Sequence, residues 1–162
     1  MTRLLEQLKT TNQKKVLIEV IYFLIQELPL SKKILLQEIT RPSFYKKLTV
    51  ENLILLGCGT SYFAGMCGKK YFKDLCKFNS VQVIDGAEFE LNDIPKNGKT
   101  ALVLMSQSGE TKDLHRCLEM CKDLDLITIG VVNVVDSLIA REVDCGCYLN
   151  AGREVGVAST KS

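Results

Sequence analysis

Two rhythms of apolar residues divide this chain. Over residues 12–28, Val16, Leu17, Val20, Ile21, Leu24, Ile25 and Leu28 recur at three- and four-residue steps. That spacing predicts an amphipathic helix, which Pro29 ends. Ser31 is suited to cap a second helix through Ile34, Leu35 and Ile39 that stops before Pro42. From residue 53 the pattern changes to short apolar runs separated by helical stretches. Strands are predicted at Leu53–Leu56, Val81–Ile84, Ala101–Met105, Ile127–Val132 and Cys145–Leu149. Helices are predicted from about Tyr62 to Phe78, from the turn after Met105 to about Leu124, and over Ser137–Glu142. Residues 92–100, with Pro95, Asn97 and Gly98, read as a loop. Ala101–Met105 is apolar on both faces, as parallel strands are. Strands alternating with helices predict a three-layer α/β/α fold on a five-stranded parallel sheet, preceded by N-terminal helices. The expected division is a helical lead-in over 1–45 and a ligand-binding domain over 46–162.

Composition narrows the class. The 162 residues are 46% hydrophobic and 25% charged, an ordinary soluble globular balance. A formal net charge of +2 is too small to recruit nucleic acid or a membrane surface, and neither is an expected partner. The greasiest stretch, Val16 to Leu30, is broken by Glu19, Gln26, Glu27 and Pro29, too short and too charged to span a bilayer. No secretory signal pattern is visible at the start. Seven cysteines, an odd number without a C-x-x-C pair, then read as reduced core thiols of a cytoplasmic protein.

The chemistry concentrates where strands end. Ser106-Gln107-Ser108-Gly109-Glu110-Thr111 turns from a buried strand into a helix carrying Leu114, Leu118 and Cys121. Free N–H groups and hydroxyls at a helix start make an anion site. The same residues would equally serve as a well-capped helix, with Glu110 and Asp113 complementing its dipole. Those acids would oppose a phosphate unless they point away. Two further loops share the character: Gly57-Cys58-Gly59-Thr60-Ser61 and Val157-Ala158-Ser159-Thr160. Ligands of such sheets bind beyond the carboxyl ends of the strands. Three hydroxyl-bearing loops at that edge suit a neutral, polyhydroxylated, singly phosphorylated ligand. Nucleotides fit poorly, since no G-x-x-x-x-G-K-[ST] occurs and Gly57-x-Gly59 lacks its third glycine.

The remaining candidates are weak. His115, the only histidine, lies within a predicted helix and reads as structural or exposed. Cys117 with Cys121, and Cys145 with Cys147, read as small buried hydrophobes rather than a zinc set, and no metal is expected. Cys58 sits near a helix start that would lower its pKa, with no partner base in sight.

Taken together, Gly57-Cys58-Gly59-Thr60-Ser61-Tyr62, Ser106–Thr111 and Glu154-Val155-Gly156-Val157-Ala158-Ser159-Thr160-Lys161 resemble the sugar isomerase (SIS) fold. More narrowly, they are similar to the first half of the isomerase domain of glutamine–fructose-6-phosphate aminotransferases. Arg141-Glu142, Asp144-Cys145 and Asn150-Ala151-Gly152 resemble the eukaryotic form, and Glu38-Ile39 with Pro42 the segment before the domain. The resemblance implies a substrate-binding set of Thr60, Ser61, Ser106, Gln107, Ser108, Thr111, Val157 and Ser159. Ser106, Ser108 and Thr111 would hold the phosphate; Thr60, Ser61 and the backbone near Val157 would hold the sugar. It implies fructose 6-phosphate or glucosamine 6-phosphate as ligand, hexosamine synthesis as setting, and no cofactor.

There are departures. The family's glutaminase domain, and the second SIS half with its ring-opening histidine, enolisation glutamate and Schiff-base lysine, have no counterpart in these 162 residues. No catalytic residue is therefore expected here: Lys161 is the motif lysine, and His115 matches no catalytic position. Ala87 replaces a family serine, and Arg153 stands where the family has another residue. The expectation is a C-terminally truncated phosphosugar-binding unit, partnered as a homodimer or by a second SIS half. The alternative is a non-catalytic regulatory or dimerisation module, or a fragment inactive alone.

Overall fold

The computed structural model describes residues 50–151 apart from Lys77 and Asp125. The helices predicted over 12–28 and after Ser31, and the Val157–Thr160 loop, lie outside the described residues. Five strands form one all-parallel sheet: β1 (Asn52–Gly57), β2 (Ser80–Asp85), β3 (Thr100–Ser106), β4 (Ile127–Val132) and β5 (Cys145–Tyr148). Their spatial order is β2-β1-β3-β4-β5. Between them run α1 (Thr60–Leu75), α2 (Lys112–Cys121) and the short α3 (Leu138–Glu142).

The central strands β1 and β3 are buried on both faces, and the period of two sends alternate side chains to two cores. Ile54, Leu56, Leu102 and Leu104 meet Leu114, Cys117, Leu118 and Cys121 of α2 and Ile139 of α3. Leu53, Leu55, Ala101 and Val103 lie on the opposite face, against which Phe72 of α1 packs. Helices on both faces with a parallel sheet between them are the predicted three layers. No helix among the described residues is long and apolar enough to cross a membrane.

Element ends shift by a few residues from the prediction. The first helix begins at Thr60 rather than Tyr62, placing Thr60 and Ser61 in its first turn, and stops at Leu75 because Cys76 is extended. The second stops at Cys121 instead of Leu124, where the chain tightens through a Leu124 N–H to Cys121 carbonyl bond. A single 3-10 turn, Leu91–Asp93, lies at the head of the loop before β3. Residue type alone is a weak guide at such boundaries.

Candidate functional site

The strand order reverses between β1 and β3: the chain leaves β1 for β2 on one side, and β3 for β4 on the other. The loops that follow these two neighbours therefore diverge above the sheet and leave a crevice at its carboxyl edge. Gly57–Ser61 and Ser106–Thr111 flank it. Thr60 and Ser61, in the first turn of α1, and Ser106, Gln107, Ser108 and Thr111, from the end of β3 to the start of α2, thus fall at the ends of adjacent strands, while Val157 and Ser159 lie outside the described residues.

On the β1 side, the chain closes into α1 so tightly that a Cβ on Gly57 would sit 2.8 Å from the Ser61 carbonyl carbon and the Tyr62 nitrogen. Only glycine leaves room for that approach. The helix N-terminus carries neither an acid in its first turn nor a side-chain cap, so no carboxylate offsets the positive end of its dipole.

On the β3 side the hydroxyls organise the loop. Ser106 Oγ accepts the Gly109 N–H at 3.0 Å and lies 2.8 Å from Thr111 Oγ1, so the two hydroxyls share one proton bond. Ser108 Oγ accepts the Glu110 N–H at 3.1 Å and keeps its own O–H as a donor. Gly109 takes φ +68°, and a Cβ there would collide with Ser137 Oγ. Its carbonyl instead accepts the Ile139 N–H at 3.0 Å, which holds the loop against α3. The carbonyl of Gln107 accepts the N–H groups of Asn133 and Val134 at 3.1 and 3.3 Å. Asn133 Oδ1 in turn accepts the Ala151 N–H at 2.7 Å.

This geometry bears on the capping reading of the loop. Ser108 and Gly109 do not cap α2: the cap position is Thr111, whose side chain makes no capping bond to the helix. Glu110, one of the two acids that would repel an anion, turns aside and accepts the Leu138 N–H at 2.8 Å, serving α3, whereas Asp113 stays in the first turn of α2. That tether was not readable from sequence, because Glu110 and Leu138 are 28 residues apart. Nor was Ser137, whose buried hydroxyl has no hydrogen-bond partner and fills the space beside Gly109.

Cys58 departs from expectation. Its pKa is raised, first by burial and then by the Asp85 carboxylate, rather than lowered by the helix start.

Fold and site together define a doubly wound α/β domain with a hydroxyl-lined crevice at its switch point. The SIS domain family model matches residues 48–162, and the chain belongs to that family. It is 58% identical over 113 residues to a probable glutamine–fructose-6-phosphate aminotransferase (isomerizing) of Acanthamoeba polyphaga mimivirus, covering 70% of this chain and 19% of that protein. It is 43% identical over 110 residues to human glutamine–fructose-6-phosphate aminotransferase (isomerizing) 2, covering 68% of this chain and 16% of the relative. Among solved structures, the C-terminal domain of the glucosamine–fructose-6-phosphate aminotransferase of Francisella tularensis superposes with a TM-score of 0.64 at 33% identity. That match covers 72% of this chain and 32% of the other. The chain thus spans less than a fifth of the length of these two full-length relatives.

Proposed function

We propose that this chain is a phosphosugar-binding SIS unit that takes fructose 6-phosphate or glucosamine 6-phosphate, in the setting of hexosamine synthesis. The observation that carries the reading is the pairing of two hydroxyl loops across the switch point with Glu110 drawn away to α3. Ser106, Ser108 and Thr111, with the uncapped N–H groups of α2, receive the phosphate; Thr60 and Ser61 face the sugar with Gln107. Val157 and Ser159 complete the set. Support comes from the relatives, whose names carry fructose 6-phosphate. In this reading residues 46–162 form the binding domain behind a helical lead-in over 1–45, with no cofactor. It works in the cytoplasm, as a homodimer or beside a second SIS half that supplies the catalytic groups, and needs neither nucleic acid nor membrane.

Calorimetric or NMR titration with either sugar phosphate tests the proposal. Saturable binding is expected, and Ser108→Ala with Thr111→Ala should weaken it by roughly 2–4 kcal/mol, the scale of losing two charge-assisted hydrogen bonds. No binding at millimolar ligand, with the circular dichroism of a folded α/β protein, overturns it.

A further inference from the structure

A second cluster of chemistry lies where α2 meets α3. His115 Nε2 is 3.1 Å from Glu142 Oε2 and 4.0 Å from Glu119 Oε1. One ligand atom from each of the three residues falls within 4.8 Å of the others. His115 and Glu119 share a face of α2 at the i, i+4 spacing, whereas Glu142 comes from α3. The two helices are not free to drift apart. Leu138 N–H is bonded to the Glu110 carboxylate at 2.8 Å and Ile139 N–H to the Gly109 carbonyl at 3.0 Å. Ile139, Leu114 and Leu118 are buried in the same core beneath.

We propose that His115, Glu119 and Glu142 form a binding site for a first-row divalent cation such as Zn²⁺. An ordinary ion pair would need one acid for the imidazole; here two carboxylates converge on it and leave excess negative charge. Lys122 offsets this only in part, with its ammonium 3.6 Å from Glu119 Oε1 and most of its side chain in water. Round a tetrahedral ion with bonds of about 2.1 Å, ligand atoms sit about 3.4 Å apart. The observed 3.1 and 4.0 Å bracket that value, so rotamer adjustment of the carboxylates closes the site. One imidazole and two carboxylates suit borderline cations over soft ones. Three protein ligands leave a coordination position for water. The bound ion would clamp α3, and with it the Gly109 loop, to α2.

His115 is the only histidine, so its imidazole signals report on this site alone. Titration of the full chain with Zn²⁺, followed by ¹⁵N–¹H spectra of the imidazole, should shift those signals to saturation at one ion per chain. Glu142→Gln and Glu119→Gln should each weaken that response by about tenfold or more, because a three-ligand site falls to two. Backbone amide spectra establish that the variants remain folded. Unmoved imidazole signals at millimolar Zn²⁺, including the case where the cysteines take the metal, overturn the proposal. So does a response that both variants retain at full strength.

Discussion

At the scale of single residues, Gly109 carries the most weight. It takes φ +68°, and Ser137 occupies the space where a side chain would go. Gly109→Ala therefore meets both a strained backbone and a steric clash, at a cost of roughly 2–5 kcal/mol. A denaturant titration should show that loss, and sugar-phosphate affinity should fall with it because the Ser106 and Ser108 bonds depend on the same turn. An alanine variant of unchanged midpoint would contradict this account. The cysteines show the opposite relation, many residues with little chemistry. Cys76, Cys117 and Cys121 are buried as apolar filler, while Cys67 is exposed on α1. Cys117 also lends its thiol to the Gly86 carbonyl at 3.3 Å.

Between elements, side chains tie neighbours that backbone pairing alone would leave loose. Arg116 of α2 reaches the turn after β2, where its Nη2 donates to the carbonyls of Gly86, Ala87 and Phe89 at 3.1, 3.1 and 3.3 Å. That turn supports the crevice, since Gly86 N–H bonds the Gly57 carbonyl at 3.1 Å. Arg116→Ala should cost about 1–3 kcal/mol by leaving these acceptors short of a donor. Hydrogen exchange should speed up at Gly86 and Phe89 while the β3–β4 amides keep their protection. At the far end of the sheet, Asp144 accepts from both the N–H and the hydroxyl of Thr128 at 2.9 Å. The Asp144 N–H returns a bond to the same hydroxyl at 3.0 Å, which fixes how β5 enters beside β4. At the opposite edge, Asn52 bonds the Asn97 carbonyl at 2.8 Å and receives the Ser80 hydroxyl at 2.8 Å, aligning β1 with β2.

For the molecule as a whole, burial of thiols sets a response to alkali. Burial pushes Cys145 up to about 12 and Cys76 and Cys117 up to about 11, from an ordinary 9.0. Above pH 9 the unfolded chain gives up thiol protons that the folded chain retains, so unfolding releases protons and stability falls as pH rises. Below that pH the contribution is intact. Melting temperature should decline progressively between about pH 9 and 12, and Cys145→Ala should make the decline shallower. An identical slope in the variant would assign the loss to other groups.

Much of this molecule was legible in its residues alone. Apolar runs at strand length, helical spacing between them, and β-branched and leucine-rich strands apolar on both faces determined a five-stranded parallel sheet with its layers, because buried parallel strands require that composition. Ser106–Thr111 and Thr60–Ser61 announced themselves by residue type at strand ends. Folding had to decide what depends on separation. The order β2-β1-β3-β4-β5 sets the two loops side by side, and the bond across 28 residues from Leu138 turns Glu110 away from the crevice. The same holds for His115, a lone helical histidine in sequence that gains a second acid, Glu142, only when α3 docks beside α2. Local patterns record which face a residue must bury; the meeting of charges and hydroxyls from distant elements is set by packing, which no local pattern encodes.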